Sequence, residues 1–375
     1  MNNIPVCEPL LDGNELNYVL KAVKTGWISS SGEYVKKFEN SFASYCGAKY
    51  GVSVCNGTVA LHLALVAIGI KRGDEVIIPD FTMVASAFAV CYTGAKPVFI
   101  DVKKDTWNID PDKITEKITC ETKAIMVVSI FGQPCEMDKI KKIANKYNLK
   151  IIEDAAESHG AEYKGEKTGN LADITAFSFF ANKNLTTGEG GMVVTNDNDL
   201  YNKCLYYRNM CFPLDGIRNY LHQDIGYNYR LSNLSAAIGL AQVEKADYYR
   251  SQRINHGKLY EKNLQKVKGI IFQVKNKNVL SVFWMNGIVV DERLYGHSRD
   301  ELIDYLTNQG IETRLFFVGM HRQPALLKFG CSQTGKFPVT NWLSANGFYL
   351  PSGSGLSHEE INFICQKIAD FQTIK

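Results

Sequence analysis

Several things are missing from this sequence, and each absence excludes a class of protein. The ten cysteines stand at positions 7, 46, 55, 91, 120, 135, 204, 211, 331 and 365, and no two have CxxC spacing. That removes the common zinc-site and thioredoxin-type motifs and leaves scattered thiols suited to a reducing compartment. No apolar stretch reaches the roughly 18 residues of a membrane span. The opening, MNNIPVCEPLLDGNE, has no basic segment followed by an apolar run, so no signal peptide is expected and a cytoplasmic location is. Charge of one sign is scarce: 42 Lys and Arg against 39 Asp and Glu leave a net +3. That balance predicts no nucleic-acid partner. Repeats and low-complexity tracts are absent.

What is present is an ordinary globular composition, 45% hydrophobic and 22% charged over 375 residues. At about 150 residues per domain this length suggests two to three domains. NGTVALHLALVAIGI reads as a helix beginning near Thr58, and VASAFAVCYTG as a helix stopped at Gly94. DEVIIPD, KPVFIDV, KAIMVVSIFG and LKIIEDAAE are apolar runs of strand length, separated by helical patterns such as EMDKIKKIANKYN. The alternation predicts an α/β fold with a mostly parallel sheet and helices on both faces. After the long helical pattern GLAQVEKADYYRSQRINHGKLYEKNLQ the elements shorten. VFWMNGIVV reads as a strand, RDELIDYLTNQG as a helix ending at a glycine, and SHEEINFICQKIADFQ as a last helix. These imply a large domain over 1–245 and a smaller α+β domain over 246–375, with the first dozen residues packing on the small one.

Three segments carry chemistry. In SVCNGTVALHLAL a strand runs into Asn56-Gly57-Thr58 and then a helix. Free N–H groups and the positive end of the helix dipole there suit a phosphate; alone, the segment reads equally as an ordinary turn with a cap. In IIEDAAESHG, Asp154 closes an apolar strand at the end where open α/β sheets bind ligands. It could hold a protonated heterocyclic nitrogen or simply cap a helix. In ITAFSFFANKNLTTGEGGMVVT, Lys183 follows the strand ending in Ser178-Phe179-Phe180 and precedes Gly190-Gly191. A lysine between an aromatic strand and a glycine-rich turn is placed for close approach rather than solvation. Lysine pKa falls readily on burial, which suits imine formation.

At these residues the chain resembles the DegT-type family of pyridoxal-phosphate (PLP) sugar aminotransferases, most closely its perosamine synthase branch. The resemblance runs from GWISSSGEYVKKFE through NGTVALHLAL, EDAAESHG, FSFFANKNLTTGEGG and GYNYRLSNLSAAIGLAQ to TRLFF. It implies an aspartate-aminotransferase-like (PLP fold type I) large domain with a mixed, mostly parallel sheet. It also implies that Lys183 carries the cofactor as an imine, and that Asp154 pairs with its pyridine nitrogen. Glu157, where many relatives have Gln, lies near the phenolic oxygen; Gly57, Thr58 and Ser178 hold the phosphate. Asn228 reaches the cofactor of a partner subunit, so the active unit is a homodimer with shared sites. The implied reaction is ping-pong transfer from L-glutamate to a keto acceptor, with Lys183 moving the proton.

Two segments depart from the family pattern. Met83, in DFTMVAS, stands where relatives often place an aromatic over the cofactor ring; its sulfur can still pack there. Arg314-Leu315-Phe316-Phe317-Val318-Gly319-Met320-His321 lacks the Pro and Tyr-Pro of RPVFYPVH. Arg314 is read as a carboxylate or phosphate ligand, or else a plain ion-pair partner. His321 is read as lining the acceptor pocket, or else packing. Trp27 and Ser29 are read as lining the sugar side, and NMCFPLDGIRNYLHQ as a substrate-facing loop. The acceptor is expected to be a nucleotide-linked 4-keto-6-deoxy sugar used for surface polysaccharide. The alternative is a small phosphorylated ketone such as dihydroxyacetone phosphate. A sugar dehydratase is disfavoured because such relatives carry His in place of the lysine, and a non-catalytic binding protein because Lys183 and Asp154 are both present.

Overall fold

Strand β1 (Tyr50–Val54), β2 (Glu75–Pro79), β3 (Lys96–Ile100), β4 (Thr122–Val128) and β5 (Lys150–Asp154) arise from the apolar runs read above. After the short β6 (Glu162–Tyr163) and β7 (Glu166–Lys167) come β8 (Ile174–Ser178) and β9 (Gly191–Thr195). In this computed structural model, which describes residues 3–215, 220–331 and 335–374, seven of these strands form one sheet in the order β1-β9-β8-β5-β4-β2-β3. Only β9 runs against its neighbours. Strands buried on both faces need no polar alternation, and β2 and β4 supply both sides at once. Val76, Ile78, Ala124 and Met126 face one core, while Ile77, Ile125 and Val127 face another.

The helices α1 (Glu15–Lys24), α2 (Glu33–Cys46), α3 (Gly57–Ala67), α4 (Ala85–Tyr92), α5 (Met137–Tyr147), α6 (Asn198–Arg208) and α7 (Asn233–Glu244) flank the sheet. The apolar α3 and α4 contribute to one core, and α5 to the opposite one through Ile140 and Ala144. Gly94 stops the α4 segment at φ 80°, the conformation glycine adopts without strain. The long helical pattern read over 239–265 is in fact two helices, α7 and α8 (Ala246–Leu264), meeting at Lys245. Lys245 leaves helical geometry at φ −111°, ψ 12°, and its ammonium pairs with Asp12 at 2.6 Å.

Beyond α8, the strands β10 (Ile270–Phe272), β11 (Val279–Leu280), β12 (Asn286–Val290), β13 (Arg314–Leu315) and β14 (Gly347–Leu350) follow. An antiparallel sheet of order β10-β12-β14-β13 forms here, and β11 joins β6 and β7. The strand expected over VFWMNGIVV covers only its second half. Phe283 takes φ 49°, and a bulky residue in that region breaks the extended ladder. The helices Arg299–Asn308 and His358–Thr373 both begin with a reciprocal Ser/Glu capping box. At the other end of the chain Ile4 bridges Ile311, and Ser352 N–H donates to the Val6 carbonyl at 2.8 Å. Among the described residues, no helix is long and apolar enough to cross a membrane.

Candidate active site

The carboxyl ends of β5 and β8 and the start of α3 open into one cavity of about 670 Å³. Asn56, Gly57, Thr58, Met83, Asp154, Glu157, Ser178 and Lys183 all line it. Eight residues from distant segments thus meet because parallel strands end on the same side of their sheet.

The N-terminus of α3 is capped by Asn56, whose Oδ1 accepts from Val59 N–H at 3.0 Å. The N–H groups of Gly57 and Thr58 belong to the first turn and have no helical acceptor of their own. Gly57 packs so tightly on β8 that a Cβ there would lie 2.6 Å from the Ser178 Cβ. A cradle of free N–H groups, a threonine and a serine, at the positive end of a helix, fits a phosphate. Gly57→Ala should therefore weaken cofactor binding about tenfold or more, since overpacking costs roughly 1–3 kcal/mol. A cofactor titration of the apoprotein checks this.

Asp154 ends β5 and is buried. Its Oδ2 accepts from Ser86 Oγ at 2.7 Å, and its Oδ1 from Ala156 N–H at 3.2 Å. Burial pushes its pKa up, opposed by those two hydrogen bonds and by Lys183. A protonated ring nitrogen would supply the counter-charge that this carboxylate otherwise draws only from Lys183. Glu157 accepts from Phe131 N–H at 2.7 Å. Burial pushes it above the usual carboxylate range, to about 7, against the pull of Lys183. The residues present thus fit a phosphate-bearing aromatic heterocycle.

Lys183 sits in a loop closed on itself: Phe179 N–H donates to Gly190 O, Thr187 N–H to Phe179 O, and Lys183 N–H to Phe180 O. Its Nζ lies 3.7 Å from the centroid of the Trp284 ring. Burial lowers its pKa, while Glu157 and Asp154 raise it. An amine depressed in this way is a better nucleophile and base near neutrality.

Met83 lines the cavity and is 47% exposed. The remaining candidates lie elsewhere in the single chain. Trp27 and Ser29 stand at the surface, where their carbonyls accept from Asn233. Asn228 is exposed and bridges Asn209. Arg314 pairs with Glu312 at 2.5 Å, is exposed, and stands opposite the cavity-lining Tyr349 in the β13–β14 register. His321 is engaged behind the cavity: its Nδ1 lies 2.6 Å from Asp80 Oδ2, and its ring stacks on Phe337. Of the segment NMCFPLDGIRNYLHQ, residues 216–219 lie outside the described residues. Sequence reading missed Ser86, Trp284, Asn182 and Tyr349, although Asn182 lies next to Lys183 in FSFFANKNLTTGEGG and Ser86 closes the DFTMVAS segment.

The profile of the DegT/DnrJ/EryC1/StrS aminotransferase family matches residues 9–369. The chain is 44% identical to GDP-perosamine synthase of Escherichia coli O157:H7, covering 100% of both chains. It is also 44% identical to GDP-perosamine synthase of Caulobacter vibrioides, covering 96% of this chain and 95% of the other. Among solved structures, DesV of S. venezuelae superposes with a TM-score of 0.93 at 29% identity, covering 100% of each chain. The large mixed sheet is accordingly the fold-type I sheet that the resemblance implied.

Proposed function

The chain belongs to the DegT/DnrJ/EryC1/StrS aminotransferase family, and from that membership we propose that it moves an amino group from L-glutamate to a nucleotide-linked 4-keto-6-deoxy sugar for surface polysaccharide. It is a pyridoxal-phosphate-dependent aminotransferase. The observation that carries the reading is one cavity holding a depressed lysine, two buried carboxylates and a helix N-terminus. The identity to two GDP-perosamine synthases favours a nucleotide sugar over a small phosphorylated ketone. Purified protein should transfer amine from L-glutamate to a GDP-linked 4-keto-6-deoxy sugar and not to dihydroxyacetone phosphate. The reverse preference would overturn the acceptor assignment.

Bound pyridoxal phosphate supplies an aldehyde for attachment of amines and a ring that withdraws electrons. In this proposal Gly57, Thr58 and Ser178 bind the phosphate without placing a second amine beside Lys183. Asp154 holds the ring nitrogen protonated, and Ser86 and the Ala156 N–H hold Asp154. Glu157 hydrogen-bonds the phenolic side of the ring, while Met83 covers one face. Lys183 Nζ, when free, would take the proton from the donor's α-carbon and hold it for delivery to the former aldehyde carbon, the shift that amino transfer requires.

We also place the partner subunit's Asn228 on the phosphate, in a homodimer with shared sites. Two features support that. Asn228 is exposed and lies outside its own chain's cavity. The cavity lip presents the exposed apolar side chains Met83, Tyr92 and Phe180, the kind of patch that marks an interface. On this reading Trp27 and Ser29 face the partner's sugar, and Arg314 and His321 support the acceptor side. A cytoplasmic location and a division of the chain near Lys245 complete the proposal; the ten free cysteines suit a reducing compartment.

Glu157→Gln tests the second carboxylate. An acid whose folded pKa is raised destabilises the fold once pH climbs from its unfolded value through the folded one. For Glu157 that window runs from about 4.5 to about 7. Removing the charge should raise the thermal midpoint of cofactor-free protein by a few degrees at about pH 8, and the gain should vanish by about pH 4. Differential scanning fluorimetry at both values reads it.

A further inference from the structure

Trp284 belongs to none of the motifs that carry the resemblance, and the reaction proposed above leaves it without a role. It reaches the cavity from the segment leading into β12, the strand of the smaller sheet. The backbone there is bent to bring it in. Phe283 sits at φ 49°, and Val282 N–H and Trp284 N–H donate to the carbonyls of Gly132 and Phe131. Left-handed geometry at a bulky residue is uncommon and persists where the surroundings enforce it.

The side chain is then fixed on several sides. It is 3% exposed and stacks on Phe131 at 6.4 Å, 25°. Arg253 Nη1 donates to its carbonyl at 2.9 Å. Its own Nε1–H donates to the Asn182 carbonyl at 2.8 Å, while its face lies 3.7 Å from Lys183 Nζ. One indole thus grips two consecutive residues, the first by its edge and the second by its face. An ammonium over an indole face is attracted by the ring quadrupole.

We propose that Trp284 is a positioning residue that seats the Lys183 amine inside the cavity whenever that amine is free. The assignment rests on reading Lys183 as the reacting amine. The other charged or titratable groups that interact with this amine are Glu157, Asp154, Cys7 and the buried His159, and Arg253 Nη2 contacts the Cys7 sulfur at 3.4 Å. Like the carboxylates, the indole favours the charged amine; unlike them, it also fixes the preceding carbonyl.

The test is competitive acetylation by trace acetic anhydride of the full-length holoenzyme held in excess L-glutamate, which leaves Lys183 free. Mass spectrometry follows the Lys183 peptide across roughly pH 6–10. In Trp284→Leu the labelling midpoint should fall by about 0.4–1.5 pH units, because the ammonium loses its seat. Its kcat should fall about ten- to a hundredfold with the KM for glutamate within about twofold. A trifluorinated tryptophan installed at position 284 keeps the shape and the N–H but weakens the ring face, so it guards against a leucine variant that does not fold. Its midpoint should fall in the same direction. An unchanged midpoint in the fluorinated protein would overturn the proposal. Full turnover in Lys183→Ala would instead sink the reading of Lys183, so the two failures are separable.

Discussion

Lys183→Ala should abolish glutamate-dependent turnover, lowering kcat by about 10⁴-fold or more, since both covalent attachment and proton transfer pass through the one Nζ. The variant should still fold. Its side chain lies in an open cavity rather than a core, and burial works against its charge. Its absorbance should lose the visible band of lysine-bound cofactor while phosphate binding persists through Gly57, Thr58 and Ser178. Mixing inactive Lys183→Ala subunits with inactive Asn228→Ala subunits then tests the shared site. A hybrid dimer assembles one complete site, with the lysine from one protomer and the asparagine from the other. Random reassociation should restore up to about a quarter of wild-type activity if exchange is complete. No recovery after demonstrated exchange would place Asn228 in its own chain's chemistry.

The parts of the site legible in the sequence are those that lie at the ends of predicted elements. Asp154 and Ser178 close strands, and Gly57 opens a helix. Parallel strands ending on one side bring such residues together without any further information. Lys183 was legible for a related reason: the loop carrying it is closed by short-range bonds between 179 and 190. The large sheet followed from apolar runs.

The residues that stayed hidden owe their place to contacts far apart in sequence. Trp284 meets Lys183 from about a hundred positions away, through a bend at a non-glycine residue that no pattern announces. Ser86 reaches Asp154 from a helix that reads as plain packing. The break at Lys245 was hidden because its flanks continue the helical pattern, and the side chain contact with Asp12 is long-range. Arg314 and His321 are the reverse case: charged residues in a family-like segment draw a functional reading, and the fold gives each a carboxylate neighbour, Glu312 and Asp80, that sequence spacing does not announce for His321.

Asp154→Asn should lower kcat by about 10²–10³-fold, the usual cost of removing one preorganised electrostatic partner of a developing charge. The substitution is close to isosteric, and the amide oxygen can still accept from Ser86. What disappears is the negative charge that favours a protonated ring nitrogen. Stability should move the other way. Burial raises the Asp154 pKa above the ordinary carboxylate value of 3.8, so the ionised carboxylate is a cost to the cofactor-free fold above that pH and none well below it. The asparagine variant without cofactor should therefore melt at or above the wild-type temperature near pH 8 and lose that advantage on acidification. A protein that both melts earlier and loses activity would identify Asp154 as a structural cap. One that keeps its stability but loses kcat, with the KM for glutamate little changed, identifies it as the group that charges the ring.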